Sequence, residues 1–167
     1  MKLNIKRFGT AINLSTAGIY LAYAVETTAG TRPTSGYTRI TGAKSTPSLN
    51  PAPETLETTT LDETEYKTYI DGLKDLGGAL EFTFNLTEEL ISQWDDLYDA
   101  WEAAKAAQKA TWFTIVIPDL QESFYFRGNP SRMGLPETSV SSVLEITNYI
   151  TPTSAPEKHA KPTIASA

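Results

Sequence analysis

The chain has 167 residues, a net charge of −6, 40% hydrophobic and 20% charged residues, and no cysteine. That length suits a single hydrophobic core, the composition argues against wholesale disorder, and the lack of cysteine rules out disulfides, thiolate metal sites and a cysteine nucleophile. The acidic balance speaks against gripping nucleic acid through its phosphates, which takes a concentrated basic face.

The opening "MKLNIKRFGTAINL" has basic residues but neither an apolar h-region nor a cleavage pattern, and no apolar run reaches the roughly 20 residues that cross a bilayer. A soluble chain made in a cytoplasm, without a membrane partner, is the expectation. From Ile19 to Val25 the residues alternate, with Ile19, Leu21, Tyr23 and Val25 on one side and Tyr20, Ala22 and Ala24 on the other, which predicts a strand. Glu26 to Pro53 is rich in Thr, Gly, Ser and Pro and reads as a long loop, within which Tyr37 to Ile40 can pair as an extended hairpin. Glu54 to Thr60 alternates again, and its β-branched threonines fit a pleated surface.

Leu80, Phe82, Phe84 and Leu86 point one way and Glu81, Thr83 and Asn85 the other, a half-buried strand. Leu90, Ile91, Trp94, Leu97, Tyr98, Trp101 and Ala104 then recur at helical spacing and predict an amphipathic helix from Thr87 to Lys109. Asn85 or Thr87 can cap it, Glu88 and Glu89 suit its positive end, and Lys105 and Lys109 its negative end. Thr111 to Ile117 is apolar nearly throughout, as a strand covered on both faces would be. Glu122 to Arg127 and Ser139 to Ile150 supply two more strands, and the proline-rich end "TPTSAPEKHAKPTIASA" reads as a tail with little to bury. No internal repeat is evident. Many strands and one helix make a mainly β fold, a β-sandwich or barrel-like subunit with one flanking amphipathic helix.

Catalytic chemistry has few residues to stand on. The single histidine, His159, lies in the tail, whereas sites need a rigid shell of supporting groups. Asp95, Asp96, Asp99 and Glu102 occupy the polar side of the helix and read as a solvated face rather than a calcium loop. "GTAINLSTAG" lacks the lysine of a phosphate loop. Asp62 and Asp71 read as surface charges rather than a glycosidase pair. Trp94 and Trp101 fall on the helical stripe and read as core, with stacking on carbohydrate, in which Trp112 would join them, as the rival use. The expectation is that the protein is not an enzyme and holds no cofactor or metal.

The stretch "LETTTLDETEYKTYIDGLKDLGGALEFTFNLTEE", Leu56 to Glu89, resembles the signature of the major tail tube proteins of long, non-contractile-tailed bacteriophages. In that family a strand ending in threonines meets a Leu-Asp-Asp variant, a Lys-Thr-Tyr-Ile turn, a Gly-Leu pair and a Phe-Thr-Phe strand. Here these are Thr58 to Thr60, Leu61 and Asp62, Lys67 to Ile70, Gly72 and Leu73, and Phe82 to Phe84, with Glu63 replacing the second aspartate. The order of elements extends the likeness over most of residues 5 to 152.

The resemblance implies a tail tube domain over residues 1–152 and a flexible C-terminal tail over 153–167. It implies rings of six, their inward strands closed into one barrel, stacked into the conduit through which DNA is ejected without specific binding. Thr60, Leu61, Asp62, Glu63, Lys67, Tyr69 and Gly72 become candidates for a subunit or ring interface, with the glycines permitting turns. Glu57, Glu81 and Glu145, on the polar sides of their strands, become candidates for lining the lumen. Implied partners are further copies of the chain and the tape-measure, tail tip and tail terminator proteins, and the implied location is the virion, assembled in the host cytoplasm. Two other readings stand beside this one: a tube protein of a contractile tail or secretion system, and a carbohydrate-binding β-sandwich module.

Overall fold

The computed structural model describes residues 16–50, 52–75, 78–140 and 142–165. The predicted mainly β fold is what the chain adopts, a curled half-barrel sheet carrying, among the described residues, a single helix. Strands β1 (Tyr20–Val25), β2 (Ser35–Ile40), β3 (Ala43–Ser45), β4 (Ala52–Glu57), β5 (Tyr69–Asp75) and β6 (Leu80–Asn85) precede helix α1 (Glu88–Ala106). After it come β7 (Thr111–Val116), β8 (Glu122–Pro130), β9 (Glu145–Pro152), β10 (Glu157–Ala160) and β11 (Thr163–Ile164). The main sheet runs β11-β2-β1-β7-β8-β9-β6-β3 with β10 also on β8, while β4 and β5 form a separate two-stranded sheet.

Alternation along the strands fills two cores. Leu21, Tyr23, Ile40, Phe113 and Phe126 on one side of the sheet join Phe82, Phe84, Ile146 and Ile150 beneath Leu90, Trp94 and Leu97 of α1. On the other side Ala22, Ala24, Tyr37, Trp112 and Tyr125 form a second cluster. Small residues on the central strands leave room for the Tyr37 and Tyr125 rings to meet edge to face, 5.8 Å between centroids. This double burial explains why every residue of β7 is buried and why both sides of β1 are covered.

The helix begins where its cap was sought. Thr87 is extended, and its hydroxyl accepts from the Leu90 N–H at 3.1 Å. It stops three residues earlier than the predicted Lys109 because Gln108 turns into the left-handed region at φ 56°. The Lys109 N–H then donates to Ala104 O at 2.9 Å and the Gln108 N–H to Lys105 O at 3.1 Å, the paired bonds of a Schellman end.

Four expectations are corrected. In the stretch from Glu26 to Pro53 the pairing expected of Tyr37 to Ile40 is present, as β2 antiparallel to β1 with Tyr37 and Ile40 buried against the two cores, but the rest is not all loop, since β3 pairs antiparallel with β6. The Lys67 to Ile70 segment does not complete a turn; the chain is already in β5 at Tyr69, and Gly72 lies inside that strand. There the register with β4 slips between Pro53 and Thr55, and a side chain at Gly72 would meet Glu54 Cβ and O at 3.1 Å, so this glycine serves close backbone approach rather than turning. The strand expected from Ser139 begins only at Glu145; exposed Val140 and Val143 have no apolar face to pack against. Residues 153–167 were expected as a tail with little to bury, yet β10 and β11 add to the sheet, and Ile164 packs on the second core. Backbone pairing, which a polar sequence does not advertise, is what holds them.

Candidate assembly surfaces

All seven interface candidates fall on the hairpin formed by β4, β5 and the residues between them. Where its strands give way to the connecting loop, the Thr58 N–H donates to Thr68 O at 2.8 Å. Lys67 pairs with Glu57 at 3.0 Å, and the Thr68 hydroxyl donates to Glu63 at 3.2 Å. At the tip the Glu63 N–H donates to Thr60 O at 3.2 Å. Hydrogen bonds from the Thr60 hydroxyl and from its own backbone N–H hold the exposed Asp62 carboxyl below its ordinary range. These polar contacts stay within the hairpin. Its apolar side chains, by contrast, have no core: Leu61 is fully exposed, Leu73 is 85% and Tyr66 81% exposed, and the cross-strand pair Leu56 and Ile70 is about half exposed. Tyr66, Leu56, Ile70 and Leu73 were not among the predicted interface residues; their spacing within a threonine-rich and charged run gave no periodic signal. Two-stranded ribbons are marginal alone.

The lumen candidates do not form one set. Glu81 and Glu145 share one face of the β3-β6-β9 part of the sheet, where Glu81 stands opposite Tyr149, Thr83 opposite Thr147 and Asn85 opposite Glu145. The hydroxyls of Thr83 and Thr147 lie 3.4 Å apart. Glu57 lies on the separate hairpin sheet. Glu145 is ion-paired to Lys44 of β3, and Glu57 to Lys67, so of the three only Glu81 keeps an uncompensated charge among the described ion pairs. The Lys44 partnership was missed because nothing in the sequence places residues 44 and 145 together; it arises from β3 flanking β6.

The remaining chemistry-bearing residues are dispersed. Asp95, Asp96, Asp99 and Glu102 are exposed along α1. Asp62 and Asp71 are exposed on the hairpin. Residues 9–15 of "GTAINLSTAG" lie outside the described residues. His159 sits on β10 beside Glu157, at 3.1 Å. Trp94 is fully buried and donates to Ser131 O at 2.9 Å. Trp112 is buried against Glu26. That leaves Trp101 alone half-buried, beside Tyr98 and under Lys105. Among the described residues no group of three or more His, Cys, Asp or Glu could hold a metal ion, and no helix is long and apolar enough to cross a membrane.

No protein-family model matches the sequence, and no curated protein matches it. A fold like this one occurs in a chain of the cryo-EM structure of the anti-feeding prophage (AFP) baseplate, 6-fold symmetrised. The two superpose with a TM-score of 0.55 at 9% identity, over 90% of this chain and 96% of that one. At that identity the likeness concerns the fold.

Proposed function

We propose that the protein is a structural subunit of a phage tail-type particle, without catalytic activity, whose copies form hexameric rings stacked into a tail tube through which DNA is ejected. The observation that carries this reading is the fold shared, over nearly the whole of both chains, with a component of the anti-feeding prophage baseplate. The signature between Leu56 and Glu89 narrows it to a tube. Two features of the chain support assembly: a hairpin whose apolar residues have no core of their own, and a sheet segment, β3-β6-β9, polar on one face and ending in a three-residue strand. Pairing between such segments in neighbouring copies removes their edges and turns the polar face towards a water-filled bore. The net charge of −6 per copy suits a conduit that phosphate must not adhere to. Tape-measure, tip and terminator proteins would be its partners in the virion.

The structural neighbour's place in a baseplate favours a second reading, a ring component of a baseplate. Sedimentation velocity over a range of concentrations separates the two. A tube protein gives a growing series of large species, whereas a baseplate ring stops at one size; a chain that stays monomeric, even with tail initiator and tape-measure partners present, removes both.

A further inference from the structure

Strand β9 lies between β8 and β6 in the order of the sheet, yet β8 covers only one end of it. On that side the pairing runs from Pro152 opposite Gly128 to Ile150 opposite Pro130, whereas β6 accompanies β9 from Ile150 back to Glu145. The last contact on the β8 side is Ser131, whose N–H donates to Tyr149 O at 2.8 Å and whose hydroxyl accepts from the Tyr149 N–H at 3.3 Å. The chain then leaves the sheet. Ser131 O is taken by the Trp94 indole N–H at 2.9 Å, Arg132 lies over the Tyr98 ring, and Met133 packs on the first core, so this segment is drawn towards α1.

What remains on β9 is an open edge. Backbone groups in an antiparallel strand point alternately to its two sides, so the N–H and C=O of Thr147, like those of Tyr149, point away from β6. Among the described residues these Thr147 groups have no hydrogen-bond partner. Beside them is a cleft of about 540 Å³, walled by Glu145 to Tyr149 on one side and by the departing segment, Ser131 to Glu137, on the other. Asn148, only 2% exposed, also lines it, and its side-chain Nδ2 is buried without a hydrogen-bond partner. Open main-chain groups and an orphaned donor in one cleft are what an added extended strand satisfies.

The chain itself carries a suitable strand. The two-stranded sheet of β4 and β5 has unpaired outer edges, and such a ribbon gains stability from a third strand. Pro53 deprives β4 of a donor, whereas β5 has 7 residues and no proline. Charge matches as well: β5 carries exposed Asp71 and Lys74, the cleft has exposed Arg132 and Glu137, and none of them belongs to an ion pair among the described residues.

We propose that β5 of a second copy of this chain adds to the open edge of β9, its carbonyl groups accepting from the Thr147 N–H and the Asn148 amide. Because the contact joins two different surfaces, it propagates from copy to copy. The inference deepens the assembly reading by naming the surfaces that meet; it rests on self-association and does not require a tube.

The lack of cysteine makes the test direct. Full-length Leu73→Cys and Thr147→Cys variants, mixed in equal amounts and treated with a short bismaleimide, are expected to form a dimer cross-linked between residues 73 and 147. It should form at least about tenfold faster than the dimer from Thr147→Cys mixed with Ser92→Cys, whose cysteine lies on the exposed face of α1. In wild-type protein the Thr147 amide should exchange at least about tenfold more slowly on self-association than in dilute solution. Cross-linking no faster than the control overturns the proposal, as does a Thr147 amide unchanged by association. Protection of Thr147 without the 73–147 cross-link assigns the edge to another occupant and likewise overturns it. Negative-stain images keep the tube reading separate: the cross-link without tubes removes only the tube, and tubes without the cross-link remove only this contact.

Discussion

The indole N–H of Trp112 donates to Glu26 Oε1 at 2.9 Å, joining the end of β1 to the start of β7. The other carboxylate oxygen accepts from the N–H groups of Gly30 at 2.9 Å and Ala110 at 3.0 Å. A charged residue that is only 3% exposed thus ties a turn, the exit from the helix and the second core. Replacing Glu26 by Ala leaves the buried Trp112 N–H and the part-buried Ala110 and Gly30 N–H groups without this partner and is expected to cost about 3 kcal/mol, since an orphaned buried group costs about 1–3 kcal/mol. Urea unfolding checks this; a loss below about 1 kcal/mol contradicts the tie.

The same residue sets an acid limb of stability. Burial pushes the Glu26 carboxyl up, but the bonds from Ala110, Trp112 and Gly30, with Arg127 nearby, hold it below its ordinary value. A depressed folded-state value means stability present above the ordinary carboxylate range and lost as pH falls through the folded value. Tyr37 sets an alkaline limb: burial, chiefly, pushes its hydroxyl up to about 12. Stability contributed there is full below the ordinary tyrosine value near 10 and declines as pH rises towards about 12. Thermal melts should show Glu26→Gln losing part of the acid dependence and Tyr37→Phe part of the alkaline dependence; variants whose pH profiles match wild type contradict the assignments.

Gln108 holds a left-handed conformation at the end of α1, which glycine adopts without a Cβ penalty. Gln108→Gly is therefore expected to stabilise the fold by about 0.5–1 kcal/mol, measured by urea unfolding. Destabilisation would show that the Gln108 side chain contributes more than its backbone strain costs.

These relationships differ in how far the sequence discloses them. Period two in β6 and the stripe of α1 were legible because each buries one face against one core, and local pattern then mirrors tertiary environment. β7 was legible as an apolar run, whereas β1 was read as an alternating strand and the covering of both its sides was not seen. Gly72 read as a turn glycine because a bulge and a turn use the same residue; only the partner strand, with Glu54 pressed against it, tells them apart. The tail read as unstructured because β10 is held by backbone bonds beneath charged side chains. The seven interface candidates fall together on the hairpin, but the exposure of its apolar residues Leu56, Tyr66, Ile70 and Leu73 was not legible in the sequence. Of the lumen candidates, the position of Glu81 on the polar face of β6 was legible from alternation, whereas the pairing of Glu145 was not, because its charge is met by a lysine distant in sequence.

Assembly is expected to depend on the hairpin and folding is not. Ile70→Asp, or Leu61→Asp, places a charge on surface that has no core in the single chain, so the unfolding midpoint should move by less than about 0.5 kcal/mol. Self-association should nevertheless be abolished or weakened by at least about tenfold, because a buried unpaired carboxylate at an interface is costly. Unchanged assembly by sedimentation velocity would remove the hairpin from the interface.

Glu81 tests the bore. In the proposed hexameric tube, with this face turned inward, Glu81→Lys would put six cations around each ring, and closely spaced cations attract phosphate in a way that salt weakens. Tails should form intact, with genome ejection slowed most at low ionic strength. Ejection indistinguishable from wild type under those conditions would place this face elsewhere.

The central claim is that this chain builds a tube. Negative-stain electron microscopy of the purified protein at high concentration, repeated with tail initiator and tape-measure partners added, tests it most directly. The account predicts hollow tubes of uniform diameter with sixfold rings as their repeat; monomers or single closed rings in both preparations would contradict it.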